Sequence, residues 1–208
     1  MPRAFTIVEL LVVITLVAVL AALSMAALPG LMQRADRADA LAKTRAMGQA
    51  VLQYVPDHAG KLPPLFPGQV LEYKDRRGRI VKECALYLGL AEASGTFLVN
   101  RLMPKAYARL KVPANQMEMR VWVMNSPLTN DLRPFGGITN GEVEGNSLPL
   151  ASISRFMNSW MIITADQAHP NVAAAPWKAN APPEPPLGNV RAVFRFDGSA
   201  GLVNIDEP

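Results

Sequence analysis

The chain has 208 residues and a net charge of +4, with Lys and Arg spread among Asp and Glu, so nothing in its charge points to a nucleic-acid binder. Its length fits one membrane segment plus one modest domain rather than two full domains. Cys84 is the only cysteine, which excludes an intramolecular disulfide and leaves the fold to be held by packing.

The hydrophobic content is concentrated at the start. Glu9 is followed by nineteen uncharged residues, Leu10 to Leu28, and a helix of that length spans about 28 Å, close to the thickness of a bilayer core. A buried core helix explains this poorly, because the segment is apolar on every side. A secretory signal peptide is the stronger rival: Arg3 supplies a positive start and Ser24-Met25-Ala26 a small-x-small site. Against it stand the very short basic region and Glu9, since an acid in a membrane segment costs roughly 3 kcal/mol and calls for a partner.

These residues, Ala4 followed by Phe5-Thr6-Ile7-Val8-Glu9-Leu10-Leu11-Val12-Val13-Ile14, resemble the signal of the type IV pilin and type II secretion pseudopilin superfamily. The resemblance covers the N-terminal helix only. It implies that a prepilin peptidase cuts between Ala4 and Phe5 and N-methylates Phe5, and that Glu9 neutralises the N-terminal amine of a neighbouring subunit and sets its axial register. Ala4 stands where the family has Gly, so a slower cut is expected. The residue-level alternative for Glu9 is an acid favoured by the dipole at a helix N-terminus, and the two roles are compatible. Arg3 and the starting amine before the span, against a balanced Arg34, Asp36, Arg37 and Asp39 after it, favour the N-terminus in the cytoplasm and the head outside; the resemblance implies that the anchoring membrane is the inner membrane.

Pro29-Gly30 is expected to kink the helix. The pattern then resumes, with Leu31, Ala35, Ala38, Ala42, Ala46, Met47, Ala50, Val51 and Tyr54 on one face and Arg34, Asp36, Arg37, Asp39, Lys43 and Arg45 largely opposite. This amphipathic half is predicted to end near Val55, before Pro56, with its alanine face against a sheet. Too few large residues line it for a coiled coil.

Beyond the proline-rich loop at Pro63, Pro64 and Pro67, Gln69–Tyr73 and Arg79–Lys82 read as a hairpin around Asp75-Arg76-Arg77-Gly78, whose basic tip is a solvated turn. Glu83–Ala93 and Thr96–Leu110 read as helices, the second broken at Pro104, and Met117–Met124 and Phe156–Thr164 as strands. Val190–Phe196 and Leu202–Ile205 around Asp197-Gly198 form a hairpin. Residues 128–152 and 166–188 are long loops, a length that often marks binding surfaces, and Trp177 in the second is either a contact residue or a cover for the sheet. The expected architecture is α+β: a leader at 1–4, a transmembrane helix at 5–28, an amphipathic helix at 29–55, and a head at 56–208 whose antiparallel sheet packs on that helix.

The C-terminal part is also similar to pseudopilin-like proteins whose heads end in His-x9-Asp-Gly followed by His-Val. Asp197-Gly198 matches, but Leu187 and Ser199 occupy the histidine positions, so no metal or catalytic role transfers. Cys84 reads as a buried structural thiol. Asp166 and His169 read as a loop acid and a surface imidazole. Glu184, Asp197, Asn204 and Asp206 do not make a calcium shell of six or more oxygens. No catalytic residue, metal ligand or cofactor is therefore expected, nor any nucleic-acid partner. The resemblance implies a structural, non-enzymatic filament subunit whose partners are the prepilin peptidase, other pilin or pseudopilin subunits and the inner membrane. The alternative is an exported binding protein or enzyme that uses the helix only as an anchor.

Overall fold

A computed structural model describes residues 6–73, 77–90, 95–110, 118–125, 132–139 and 141–205. The chain divides into two compact units, Met1–Ala35 and Asp36–Pro208.

The first unit carries the apolar part of helix α1, which runs as one helix over Ile7–Asp57. It is long and apolar enough to cross a membrane. Leu10, Leu16, Leu20, Leu23 and Leu28 are all exposed, as expected of a surface meant for lipid or for other helices rather than for a protein core. The helix continues through Pro29-Gly30, so the missing proline N–H removes one hydrogen bond without ending it.

The second unit is an α+β head. Strands β1 (Gly68–Gln69), β4 (Trp122–Met124), β7 (Trp160–Thr164), β8 (Val190–Arg195) and β9 (Ala200–Asn204) form an antiparallel sheet in the order β1-β4-β7-β8-β9. Two small antiparallel pairs accompany it, β2 (Glu72–Tyr73) with β3 (Phe97–Leu98) and β5 (Ile138–Thr139) with β6 (Glu142–Val143). The head has the pilin-like arrangement expected from the sequence, and its closing hairpin lies where it was predicted. There Gly198 takes φ +85° and the Ser199 N–H donates to Asp197 Oδ1 at 2.8 Å, so turn chemistry accounts for the Asp-Gly pair.

Both faces of the sheet are covered. Trp122, Met124, Ile162, Ala192 and Phe194 belong to the main core together with Ala40, Met47 and Val51 of α1. Their neighbours Val123, Ile163 and Val193 point into a second core with Ala165, Val172 and Ala181. That second cover comes from the long segment after β7, which contains a short helix, α4 (Pro170–Ala173). Trp177 packs against this second core, so it does cover the sheet.

Several expectations are corrected. The face of α1 that packs in the head is Asp36, Ala40, Thr44, Met47, Gly48, Ala50, Val51 and Val55; it includes the expected Met47, Ala50 and Val51, whereas Ala35, Ala38 and Ala42 are exposed. Polar Asp36 and Thr44 disguised the stripe. Asp36, Arg37, Asp39 and Lys43 do not simply face solvent. Asp36 pairs with Arg109, Asp39 accepts from the Lys105 N–H at 2.8 Å, and Arg37 donates to the Leu187 carbonyl at 3.1 Å. The helix ends at Asp57 rather than before Pro56, and the Gly60 N–H closes it on the Val55 carbonyl at 3.0 Å.

The expected hairpin at 69–82 does not form. Ile80–Glu83 is a helical turn, α2, while β1 pairs with β4 and β2 with β3. The consecutive burial of Ile80 and Val81 suits a turn inserted into the core better than a one-sided strand, and so short an apolar run cannot be told apart by periodicity. Of its basic tip, Lys74, Asp75 and Arg76 lie outside the described residues. Over the described residues, the two helices expected at 83–93 and 96–110 are replaced by turns ending near Gly89 (φ +65°), by strand β3, and by a short helix α3 (Lys105–Ala108) that starts after Pro104, while residues 91–93 of the first lie outside the described residues. Of the strand expected over Met117–Met124, β4 comprises Trp122–Met124, Val121 extends it with backbone hydrogen bonds to Gln69 and Ala165, and Met117 lies outside the described residues.

Candidate functional site

Of the three residues singled out at the N-terminus, Ala4 and Phe5 lie outside the described residues and Glu9 lies within them. Thr6 immediately precedes α1, and Glu9 is the third helical residue. The Glu9 carboxylate Oε2 accepts from the Thr6 N–H at 2.9 Å and from the Thr6 hydroxyl at 2.8 Å, while the Glu9 N–H donates back to Thr6 Oγ1 at 3.2 Å. This is a reciprocal capping box, which satisfies two backbone donors left open by the start of any helix. The Thr-x-x-Glu spacing announces it, and that signal makes Thr6 a partner of Glu9 that the sequence reading passed over.

The chemistry follows from the counting. Both bonds fall on Oε2, and an ionised carboxylate offers about four acceptor sites. The cap therefore fixes the acid at the helix start and leaves acceptor capacity for a further cation. Every atom of the cap also lies on the C-terminal side of the Ala4–Phe5 bond, so a cut there leaves it whole.

In the head, Asp166 and His169 are both buried, which corrects the expectation of a loop acid and a surface imidazole. The Asp166 carboxylate accepts two hydrogen bonds from Arg191, from Nε at 2.6 Å and from an Nη at 2.9 Å. The Arg191 guanidinium also donates to the Ile205 carbonyl at 3.1 Å. His169 caps α4, its Nδ1 accepting from the Asn171 N–H at 3.2 Å. Its ring packs edge-on against Trp160, 5.4 Å between centroids.

Burial, reinforced by the Arg191 charge and opposed by Asp166, pushes the His169 pKa down to about 4. The ring is thus neutral at ordinary pH and serves as a hydrogen-bond acceptor. Tyr107 donates its hydroxyl to the Ala165 carbonyl at 2.6 Å, and burial raises its pKa. This constellation is an internal brace between β7 and β8, with both Asp166 oxygens committed to Arg191. Cys84 is fully buried, and burial likewise raises its thiol pKa. Among the described residues, no three of His, Cys, Asp or Glu converge as a metal would require.

Residues 2–25 match the family model described as the prokaryotic N-terminal methylation motif. No curated protein and no solved structure matches the chain. The motif encloses Ala4, Phe5, Thr6 and Glu9 together with most of the exposed apolar run.

Proposed function

We propose, from the premise that residues 2–25 are the prepilin-type signal of type IV pilins and pseudopilins, that this membrane-anchored, pilin-like chain is a structural, non-enzymatic subunit of a type II secretion or type IV pilus-like filament. The observation that carries the proposal is the coincidence of that motif with a helix whose apolar residues are exposed along its membrane-length part. A prepilin peptidase cuts between Ala4 and Phe5 and methylates the new amine. The span sits in the inner membrane, with the N-terminus cytoplasmic and the head on the far side.

Glu9 then acts in assembly. Cleavage creates a cation at Phe5. Within an apolar bundle, a lone carboxylate and a lone ammonium are both heavily penalised, and pairing them between subunits relieves both. The Thr6 cap supports this by holding Glu9 at the helix start with acceptor sites to spare. The partners are the peptidase and other pilin or pseudopilin subunits.

The test is Glu9→Ala in cells that make the filament. The variant is expected in the membrane fraction at wild-type abundance, processed, and at least tenfold depleted from sheared filaments. Incorporation at the wild-type level contradicts the role given to Glu9.

A further inference from the structure

The five-stranded sheet has two edges, and they are built differently. At one, β1 is two residues long and follows Pro67, and its Gln69 amide is bound to the Gly78 carbonyl at 2.9 Å and to the Ile80 N–H at 2.8 Å. At the other, β9 is five residues long and pairs with β8 alone. Edge strands are usually guarded by brevity, proline, a bulge or a charge, because their open backbone groups template further pairing. β9 has none of these guards. Ala200-Gly201-Leu202-Val203-Asn204 carries no charge and no proline, and its register against β8 runs without a shift.

The register shows which backbone groups are open. The Ile205 N–H donates to the Asn189 carbonyl at 3.1 Å, and the Arg195 N–H to the Ser199 carbonyl at 2.8 Å. Bonded and non-bonded positions alternate along an antiparallel pair. Gly201 and Val203 therefore turn their N–H and C=O groups toward β8, while Ala200, Leu202 and Asn204 turn theirs to the open side. Among the described residues no hydrogen bond reaches those outward groups. The side chains of the same three residues lie on the face that carries the main core, where Ala200 packs. Leu202 is 41% exposed there.

This strip is complementary to itself. Turned about a two-fold axis through Leu202, two copies of β9 pair antiparallel with Leu202 opposite Leu202 and Ala200 opposite Asn204. All three outward residues then fall at bonded positions, which gives about six new backbone hydrogen bonds. The two Leu202 side chains meet on one face as a cross-strand apolar pair, and no like charges are set opposite each other within the strip. A slip of one residue would place open groups against positions already bonded to β8.

We propose that β9 is a pairing edge for the β9 of a second copy of this chain, joining two heads into one continuous antiparallel sheet centred on Leu202. The direction of the contact follows. Arg37 of α1 donates to Asn189 Oδ1 at 2.9 Å, and a Cβ on Gly198 would lie 3.7 Å from Leu52 of α1. In the head α1 thus runs along β8, and antiparallel pairing of the strands sets the two head segments of α1 in opposite directions. The contact joins heads that face one another, and is separate from the stacking of like-directed copies in a filament. No residue of the N-terminal motif takes part, so failure of this proposal leaves the filament reading standing.

The test uses the full chain in detergent micelles under mild oxidation, with disulfide dimers read on non-reducing gels. The wild type supplies the background, because its single cysteine, Cys84, is fully buried. Directly opposite bonded residues have Cα atoms about 5.5 Å apart, which a disulfide bridges. Like residues four positions apart along the paired strands stand about 14 Å apart, which it does not bridge. Leu202→Cys should therefore form dimers at least about tenfold more than Ala200→Cys or Asn204→Cys alone, while a mixture of those two should link one to the other. Adding Leu202→Lys to both members of the mixture sets like charges opposite each other and should cut that link at least about tenfold. Thermal melts identify any variant that fails to fold; should the lysine variants melt early, the pattern over the three cysteine positions decides. Three results would each overturn the proposal: no dimer of Leu202→Cys above background, as when the edge serves a strand of another protein; equal linking at all three positions, as random collision gives; or a mixed link that survives Leu202→Lys in folded protein.

Discussion

Glu9 and His169 do the same local job at two ends of the chain, each accepting a hydrogen bond at the start of a helix, but their surroundings divide them. Glu9 is exposed and keeps acceptor capacity for a partner. His169 is enclosed by Trp160, Asp166 and Arg191, and is held neutral down to a pKa of about 4. The sign of the consequence is fixed. Between the unfolded histidine value near 6.5 and about 4, the unfolded chain takes up a proton that the folded head refuses. The contribution of His169 is thus complete above about pH 6.5, declines as pH falls, and has gone by about pH 4, a loss of up to about 3 kcal/mol. His169→Asn keeps an acceptor for the cap. The difference between its urea-denaturation stability and that of the wild type should slope across this window and be flat above it; parallel profiles would contradict the assignment. Neither partnership was equally open to a reader of the sequence. Thr-x-x-Glu is a spacing and could be seen, whereas His169 comes under the charge of Arg191, twenty-two residues away, only when β7 and β8 pair.

At the scale of the element, the second half of α1 is shaped by close approach. A Cβ on Gly48 would lie 2.1 Å from the nearest Phe194 ring atom, and Phe194 is fully buried with little room to turn. Beside it, the Trp122 indole N–H donates to Thr44 Oγ1 at 3.0 Å with both side chains buried. A strictly apolar search for the packed face finds the alanines and misses these two positions, because one residue is hydrogen and the other a hydroxyl. Gly48→Ala should destabilise the head by about 1–3 kcal/mol through overpacking, even though alanine is the better helix former. Thr44→Val keeps the shape but strands the indole N–H, and should cost about 1–3 kcal/mol. Urea midpoints of the two variants check both values, and a stabilised Gly48→Ala would show that the helix does not press on Phe194 as described.

For the whole molecule, the elements whose signal is contained in their own residues were legible. These are the apolar helix, the acid at its start, and the closing hairpin with its Asp-Gly turn. The middle of the head was not, because its strands are only two or three residues long and take their partners from distant segments, as β1 does with β4 and β2 with β3. The long loops were legible as loops but not as walls. One covers the second face of the sheet with Val172, Trp177 and Ala181, and the other carries the β5–β6 pair. The functional account nonetheless rests on the N-terminus, where motif and helix coincide. Mass spectrometry of the mature protein purified from its own cells tests it most directly. A first residue of N-methylated Phe5 is the result expected, whereas a chain that begins at an intact Met1, or at Ala27 after cleavage within the apolar run, would contradict it.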